Sequence, residues 1–317
     1  MATNSGVLST IPILVGPTGS GKTSLMVELA LQGGLGNAEV VSADSRQIYR
    51  LMDIGTAKPT PTERQALRHH LIDFIDPGER YSAGRFRRDA ETAISDILGR
   101  GKVPVVVGGT GLYLKALAEG LSPIPEVPRD VTAKLGEELM SEGLNRFYER
   151  LTRVDPRCAS GISANDPQRI LRALGVWEAT GKPLSEWWEE RPAGSPYRFQ
   201  WLGIGWERDQ LRQRLRDRTR LMMGAGLEDE VRSLLAEGYT WDTYSMAAPG
   251  YREWQQFFAG TVSRDDTETA IFVHTAQYAK RQMTWFKTNP HVLWLNGASP
   301  DVVSQAADWL RPLCTKK

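Results

Sequence analysis

The sequence predicts an α/β fold in which a parallel β-sheet is flanked by helices and interrupted by an all-helical insertion. Short apolar runs alternate with helical patterns over the first 120 residues, which is typical of a parallel sheet wrapped by helices. A proline-rich stretch then breaks the alternation, and residues 131–190 show helical patterns without a convincing strand. Apolar runs of strand length return near residue 200, so the sheet is expected to resume there.

Six apolar runs are the expected strands. They are residues 11–15, 40–43, 71–75, 103–107, 201–206 and 291–295. A helix is expected between the third and fourth runs, because apolar residues repeat there at helical spacing and the glycines at 99 and 101 are stop signals. Its apolar face comprises Phe86, Ala90, Ala93, Ile94, Ile97 and Leu98.

Two turn-rich stretches predict the domain boundaries. Pro123, Pro125 and Pro128 lie close together and prevent regular structure, and residues 191–197 are rich in turn formers. The expected division is a first part of the core at residues 1–121, a helical insertion domain at residues 122–197 and a second part of the core at residues 198–317.

Length and composition narrow the function classes. The chain has 317 residues, of which 41% are hydrophobic and 24% are charged, and this excludes disorder and fibrous repeats. No apolar run approaches the roughly 18 residues of a membrane span, and the first ten residues lack a secretory pattern, so a cytoplasmic protein is expected. The net charge of +1 gives no general attraction to nucleic acid, so RNA binding would need local basic patches. Cys158 and Cys314 are expected to be packing residues.

A glycine-rich loop after the first expected strand carries the most specific signal. Its residues are Gly16, Pro17, Thr18, Gly19, Ser20, Gly21, Lys22 and Thr23, which match the GxxxxGK[ST] phosphate loop. In such a loop the glycines let backbone N–H groups surround phosphate oxygens, Lys22 adds a positive charge, and the Thr23 hydroxyl can bind Mg²⁺. The sequence therefore predicts a P-loop NTPase-like core that binds phosphate or diphosphate, with a helix beginning near Ser24.

Two polar residues follow other expected strands and should face the same ligand. Many P-loop enzymes place a carboxylate at the end of a further strand to hold Mg²⁺ or orient water. Here the run at 103–107 is followed by two glycines and Thr110, a hydroxyl, and the strand-terminal acid is Asp44. The carboxyl ends of parallel strands form the ligand crevice, so Asp44 and Thr110 are both candidate site residues. Helix capping is the open alternative for each.

Arg218 interrupts the apolar stripe of a further expected helix at residues 209–223. The stripe comprises Leu211, Leu215 and Met222, and the arginines on the opposite, solvated face are Arg212, Arg216 and Arg220. A buried arginine is costly unless it is paired, so Arg218 is expected to meet a ligand phosphate or a carboxylate, and both alternatives stay open. The same reasoning applies less sharply to Arg169 and Arg172.

Eight segments resemble, in order, the motifs of the tRNA dimethylallyltransferases, also called tRNA isopentenyltransferases. They are GPTGSGKTSL (residues 16–25), SADSRQIYRLMDIGTAKP (42–59), YSAGRFRRDA (81–90), VGGTGLYLKAL (107–117), NDPQRILRAL (165–174), GLEDEV (226–231), GYRE (250–253) and AKRQMTWFK (279–287). A phosphate loop alone would be a weak indication. The ordered set along most of the chain is highly specific.

The resemblance implies transfer of a dimethylallyl group from dimethylallyl diphosphate to N6 of the adenosine next to the anticodon on its 3′ side. It implies that the loop, Arg218 and Mg²⁺ at Thr23 neutralise the leaving diphosphate. Asp44 would be the general base and adenine anchor, and Thr110 would hydrogen bond at the reacting centre. The absence of a second strand-terminal carboxylate fits this chemistry, because no water or hydroxyl attacks phosphorus.

The resemblance also implies tRNA contacts, with the helical insertion gripping the anticodon stem-loop of a flipped-out adenosine. The residues implied are Asp44, Ser45, Arg46, Gln47, Gln168, Arg169, Ile170, Leu171, Arg172, Ala247, Ala248, Pro249, Gly250, Tyr251 and Arg252. Three positions depart from the family pattern: Pro249 replaces a β-branched residue, Gly175 an acid and Thr132 a basic residue. A monomer without membrane contact is expected.

Three other functions compete with this interpretation. An adenylate isopentenyltransferase would share the loop and Asp44 but would have little use for a large helical insertion. A small-molecule kinase with a lid would turn over ATP. A non-catalytic RNA-binding module could use the patch at residues 64–88, which has six arginines against three acids, but it would not need the phosphate loop.

Overall fold

The computed structural model describes residues 8–190 and 194–314. Within these residues, six parallel strands form one sheet in the order β3-β2-β4-β1-β5-β6. The strands are β1 (Thr10–Val15), β2 (Ala38–Ala43), β3 (His69–His70), β4 (Val103–Gly108), β5 (Arg198–Gly205) and β6 (Val292–Asn296). Since all six are parallel, their carboxyl ends lie along the same edge of the sheet.

Helices connect the strands and form the insertion. They are α1 (Lys22–Leu31), α2 (Pro61–Ala66), α3 (Ala83–Gly99), α4 (Gly111–Ala118), α5 (Arg129–Glu142), α6 (Leu144–Val154), α7 (Pro156–Ser160), α8 (Pro167–Thr180), α9 (Leu184–Trp187), α10 (Arg208–Gly224), α11 (Leu227–Ala236), α12 (Trp254–Phe258), α13 (Arg264–Lys287) and α14 (Val302–Cys314), with a 3₁₀ turn at Tyr244–Ala247. The described part of the chain holds no helix long and apolar enough to cross a membrane.

The core of the sheet follows from alternating side chains. Leu14, Val105 and Leu202 point to one face, where they pack against apolar residues of α1 and α14. Helix α3 packs against β2 and β4, and its apolar stripe is buried as its spacing predicts. The predicted α/β fold with flanking helices is confirmed.

One predicted strand is wrong. Residues 71–75 do not form a strand, and the short β3 lies just before them at His69–His70, beside β2. Leu71 and Asp73 adopt left-handed backbone conformations, with φ of 58° and 59°, which an extended strand cannot contain. The backbone N–H of Asp73 donates instead to the carbonyl of Gln47 at 3.0 Å. The other five strands lie within one to three residues of their predicted bounds.

The chain divides into two compact units, Met1–Ala118 with Pro196–Lys317, and Glu119–Ser195. In its described residues the second unit contains helices α5 to α9 and no strand. Its own apolar core includes Phe147, Leu151, Ile170 and Leu174. At Gly175, a Cβ atom would lie 3.1 Å from the Val127 side chain, so a larger residue would have to displace this packing.

Candidate active site

The glycine-rich loop leads from β1 directly into α1, which begins at Lys22, two residues before the expected start. Gly19 and Gly21 have φ of 77° and 89°, the left-handed region that favours glycine. A Cβ atom on Gly19 would lie 2.6 Å from the Leu215 side chain. Glycine is therefore required here by backbone conformation and by close packing against α10.

A cavity of about 270 Å³ lies beside this loop at the carboxyl edge of the sheet. It is lined by Thr18, Gly19, Gly21, Lys22, Thr23, Ser24, Met26, Val40, Ser42, Asp44, Gln47, Thr56, Ala57, Lys58, Pro59, Glu63, His69, Val107, Gly108, Gly109, Arg218 and Gln282. The phosphate loop, the end of β2 and an arginine from α10 thus meet at one space. This is the crevice position where open parallel sheets bind ligands.

Lys22 supplies one positive charge to the cavity. Its Nζ donates to the carbonyls of Gly16 and Pro17, both at 2.9 Å, and reaches Ser20 Oγ at 3.4 Å. Burial lowers the pKa of Lys22 to about 8, partly offset by Asp44, and Arg218 lowers it further. An anion entering the cavity would favour the charged form and so raise the pKa of Lys22 again.

Arg218 supplies the second positive charge. Its Nη2 donates to the carbonyl of Thr56 at 3.4 Å, and its Nε is buried without a partner in the described part of the chain. Burial lowers the pKa of Arg218, while nearby Asp44 raises it. No carboxylate among the described residues lies within ion-pair distance of this guanidinium, which favours a ligand phosphate over a buried ion pair. The apolar stripe around it is buried and the opposite arginines of α10 are exposed, as predicted.

Asp44 follows β2 and lines the same cavity. Its Oδ1 accepts hydrogen bonds from the backbone N–H groups of Arg46 at 2.8 Å and Gln47 at 3.2 Å. These bonds stabilise a turn, and no helix begins at Ser45, so Asp44 does not cap a helix. Within residues 8–190 and 194–314, Oδ2 accepts no hydrogen bond from the protein. This second oxygen is therefore available as an acceptor for a ligand.

Thr110 lies one step behind the cavity wall and does not line it in the described structure. Its Oγ1 accepts the backbone N–H of Ser45 at 3.0 Å, and its own N–H donates to the carbonyl of Ala43 at 3.1 Å. The hydroxyl therefore connects the ends of β2 and β4 and does not cap α4. The Tyr278 phenol lies beside the Thr110 and Ser45 hydroxyls; burial, followed by nearby Asp44, raises the pKa of that phenol.

A second cavity, of about 60 Å³, adjoins the first. It is lined by Thr18, Asp44, Arg46, Gly55, Thr56, Arg218, Thr219, Met222, Ala248, Pro249, Gly250, Ile271, Thr275 and Tyr278. Thr18, Asp44, Thr56 and Arg218 line both cavities. A ligand with an anionic part and a second reacting molecule could therefore meet at Asp44 from two sides.

Three residues that sequence reasoning missed hold the phosphate loop. Gln282 accepts the N–H of Thr18 and donates to the carbonyl of Gly109, both at 2.8 Å. Trp206 Nε1 donates to the carbonyl of Ser20, and Arg214 Nε to that of Gly19, both at 3.0 Å. Gln282 lies in the AKRQMTWFK segment, which was a signal of resemblance without an assigned role.

The comparisons with known proteins decide the family. The family model described as IPP transferase matches residues 47–289, and the one described as isopentenyl transferase matches residues 9–78. The chain belongs to the IPP transferase family. The chain is 45% identical over 296 residues to the tRNA dimethylallyltransferase of Geobacter sulfurreducens, covering 93% of this chain and 94% of that protein.

Solved structures of the family agree. The full-length tRNA isopentenylpyrophosphate transferase of Bacillus halodurans is 34% identical, with a TM-score of 0.70 and 97% of each chain covered. A eukaryotic dimethylallyltransferase, described as acting on tRNA, is 29% identical with a TM-score of 0.79, covering 94% of this chain and 77% of that one. The resemblance drawn from the eight motifs is thus confirmed at the level of the family.

The structure separates the residues expected to touch tRNA into exposed, partly exposed and buried groups. The exposed ones are Gln168, Arg169, Arg172, Ala247 and Arg252, and partly exposed ones are Asp44, Ser45, Arg46, Gln47, Leu171 and Pro249. The side chains of Ile170, Ala248 and Tyr251 are buried, as is Gly250. Any RNA contact by these four would have to come from the backbone, because their side chains pack inside the protein.

Proposed function

We propose that the chain transfers a dimethylallyl group from dimethylallyl diphosphate to N6 of the adenosine 3′-adjacent to the anticodon in tRNA, releasing diphosphate. One observation carries the proposal. A phosphate loop, the half-buried cationic side chains of Lys22 and Arg218, and an aspartate whose Oδ2 accepts no hydrogen bond in the described chain line the same cavity. Family membership and the relatives' names support the chemistry and the acceptor.

The reaction forms one bond and breaks one bond. The N6 nitrogen attacks the allylic C1 of the donor, and the C1–O bond breaks with its electron pair leaving on the diphosphate. Asp44 Oδ2 takes the N6 proton, because the adenine amine must lose a proton when it becomes a secondary amine. Lys22 and Arg218 stabilise the charge that accumulates on the departing diphosphate.

The residues at the loop fit Mg²⁺ as the cofactor. Thr23 lines the cavity at the start of α1, where a hydroxyl commonly binds Mg²⁺ together with substrate phosphate oxygens. Among the described residues no cluster of three His, Cys, Asp or Glu side chains could hold a metal ion. We therefore assign Mg²⁺ to Thr23 and the donor's own oxygens. When bound there, Mg²⁺ would lower the negative charge of the leaving group.

The helical unit is proposed to bind the anticodon stem-loop. Arg169 and Arg172 are exposed at the start of α8, and Arg129 and Lys134 lie on α5. Charge reversal at Arg129 and Lys134 should reduce the salt dependence of tRNA binding by about one unit of slope per lost phosphate contact. An unchanged slope would exclude α5 from the tRNA interface. A cytoplasmic location and a monomeric state stay predictions.

Incubation with labelled dimethylallyl diphosphate and either tRNA or AMP tests the proposal. We expect label in tRNA, at the adenosine next to the anticodon, and little label in AMP. Efficient labelling of AMP with salt-insensitive binding would indicate an adenylate isopentenyltransferase instead. A parallel incubation with ATP should show no turnover at ordinary kinase rates, and steady ATP hydrolysis would overturn the assignment of the loop to a leaving diphosphate.

A further inference from the structure

A half-buried carboxylate, that of Glu230, holds the loop that forms one wall of both cavities. Glu230 Oε2 accepts the backbone N–H groups of Asp53 at 2.8 Å and Ile54 at 2.7 Å, and Oε1 accepts that of Gly55 at 3.0 Å. Three successive N–H groups that converge on one anion form a concave nest, a rigid arrangement for a loop. Glu230 belongs to the GLEDEV segment, which the proposed reaction does not use.

Tyr251 completes this arrangement. Its hydroxyl donates to Glu230 Oε1 at 2.7 Å, and the residue is fully buried. Its ring covers Gly55 so closely that a Cβ atom there would lie 2.5 Å from the ring. Both the carboxylate and the loop glycine are therefore fixed by one aromatic side chain from the GYRE segment.

Thr56 and Ala57, the next two residues of the loop, are hydrogen bonded to Arg218 and to Gln47, the neighbour of Asp44. The carbonyl of Thr56 accepts Arg218 Nη2 at 3.4 Å, the one hydrogen bond that this guanidinium makes in the described chain. The carbonyls of Thr56 and Ala57 also accept Gln47 Nε2, at 3.3 Å and 2.9 Å. The backbone N–H of Gln47 in turn donates to Asp44 Oδ1. A continuous set of hydrogen bonds thus connects Glu230 to the base on one side and to the leaving-group arginine on the other.

We propose that Glu230 and Tyr251 are positioning residues that hold Asp44 and Arg218 at the separation that prenyl transfer requires. This inference rests on the proposed function, in which Asp44 takes the N6 proton and Arg218 meets the diphosphate. The reacting nitrogen, C1 and the leaving oxygen must be aligned within a few tenths of an ångström, and a displacement of about 1 Å can cost about a hundredfold in rate. Because one carboxylate holds the loop, the same loop fixes the positions of both Asp44 and Arg218.

The test uses Glu230→Gln and Tyr251→Phe in the full-length protein, with Glu39→Gln as a matched control. Like Glu230, Glu39 is a carboxylate with several partners in the same unit, but it is fully buried and lies near the amino end of β2, at the opposite end from Asp44. Glu230→Gln turns an amide N–H₂ toward backbone donors, so it should lower the single-turnover rate about 10- to 100-fold. Tyr251→Phe removes one hydroxyl and keeps the ring, so about a 3- to 10-fold loss is expected. Glu39→Gln should keep the wild-type rate.

Double-mutant cycles separate positioning from general destabilisation. If Glu230 acts through Asp44, Glu230→Gln should have little further effect on the rate in an Asp44→Asn background. Likewise, Glu230→Gln should weaken the binding of inorganic diphosphate with Mg²⁺ several-fold, and this effect should vanish in an Arg218→Ala background.

Additive losses in both cycles, with Tyr251→Phe at the wild-type rate, would overturn the proposal. The milder Tyr251→Phe variant keeps the test decisive if Glu230→Gln does not fold. The diphosphate cycle does not depend on prenyl transfer, so it separates a failure of this inference from a failure of the proposed function. If the wild-type protein shows no prenyl transfer but the diphosphate cycle still shows coupling, the positioning role of Glu230 stands and only the proposed reaction is excluded.

Discussion

The two ends of strand β2 carry carboxylates in opposite circumstances. Glu39, near the amino end, is 1% exposed and contacts Arg100 at 2.7 Å, Lys102 at 2.6 Å and His70 at 2.6 Å. Asp44, just past the carboxyl end, lines a cavity and accepts two backbone N–H groups on one oxygen, while its other oxygen accepts no hydrogen bond in the described chain. The first carboxylate is neutralised by its neighbours, whereas the second keeps an acceptor available to a ligand.

This difference follows from the geometry of a parallel sheet. At the carboxyl edge, loops turn away from the strands and leave a crevice, so a polar residue there can face a ligand. At the amino edge, the charge of Glu39 is satisfied within the protein, and the hydrogen bond from Arg100 is the main cause of a pKa well below the usual range for this carboxyl. A buried acid therefore indicates chemistry only when its surroundings leave an oxygen unpaired.

Exchanging each carboxylate for its amide gives the largest expected contrast. Asp44→Asn should lower the single-turnover rate by about two to four orders of magnitude, the usual range for general acid–base catalysis, while diphosphate binding persists. Glu39→Gln should leave that rate within about twofold and lower stability instead. Rapid-quench kinetics and chemical denaturation measure the two effects. A near-normal rate for Asp44→Asn would remove it from the role of base.

Removing Lys22 should weaken the binding of the prenyl diphosphate without changing Asp44. Lys22→Ala deletes a charged hydrogen-bond donor to the diphosphate, so donor affinity should fall about 10- to 100-fold. Calorimetry with the prenyl diphosphate and with inorganic diphosphate, each with Mg²⁺, checks this. Equal affinity in the variant would place the diphosphate elsewhere. The Glu39→Gln protein serves again as the control, because Glu39 does not line the cavity.

The same lysine predicts a pH dependence of donor binding. Burial lowers its pKa to about 8 in the free protein, and a bound diphosphate favours the charged form, which raises it again. Affinity should therefore be constant below about pH 8 and fall up to tenfold per pH unit above it, with proton uptake on binding. Lys22→Arg, whose guanidinium stays charged, should remove this decline. A decline that persists in Lys22→Arg would point to another titrating group.

The smallest expected effect concerns acid stability at the other end of β2. Since the folded-state pKa of Glu39 is depressed, its stabilising contribution is present above the unfolded pKa near 4.5 and is lost as the pH falls below that value. Glu39→Gln should cost about 1 to 3 kcal/mol at pH 7 and should flatten the dependence of stability on pH below about 5. Urea denaturation across this range measures it. If the stability of the variant depends on pH as steeply as that of the wild type, carboxyl groups other than Glu39 cause the acid sensitivity.

The sequence was sufficient for the fold class, five of the six strands and the family, because these depend on periodicity and on local motifs. It also brought Asp44 and the phosphate loop to one edge of the sheet, since the carboxyl-end rule needs only the strand assignments. Their roles, and those of Thr110 and Arg218, stay predictions until the variants are measured. The left-handed conformation of Asp73 could not be predicted, because its N–H donates to the carbonyl of Gln47, a residue more than twenty positions earlier in the chain.

The residues that support the site from distant parts of the chain could not be predicted from local sequence patterns either. Gln282 contacts Thr18 across 264 positions, and Glu230 contacts the loop at Gly55 across 175. A glutamine and a glutamate on amphipathic helices have no distinguishing pattern, so only their place in the AKRQMTWFK and GLEDEV segments was a signal. Thr110 was expected to face the ligand directly, and the structure instead connects it to Ser45.

The pairing of β1 with β5 has a consequence for synthesis on the ribosome. One edge of β1 pairs with β4. The other edge pairs with β5, which begins at Arg198 and is synthesised only after the entire helical unit. Trp206 reaches Ser20 across 186 positions, so the phosphate loop also lacks this support until late in translation. At about 5 to 20 residues per second the nascent chain carries an open strand edge for roughly 10 to 40 seconds. Such an edge pairs readily with other chains. The yield of folded protein should therefore depend on how well residues 10–15 are protected during translation.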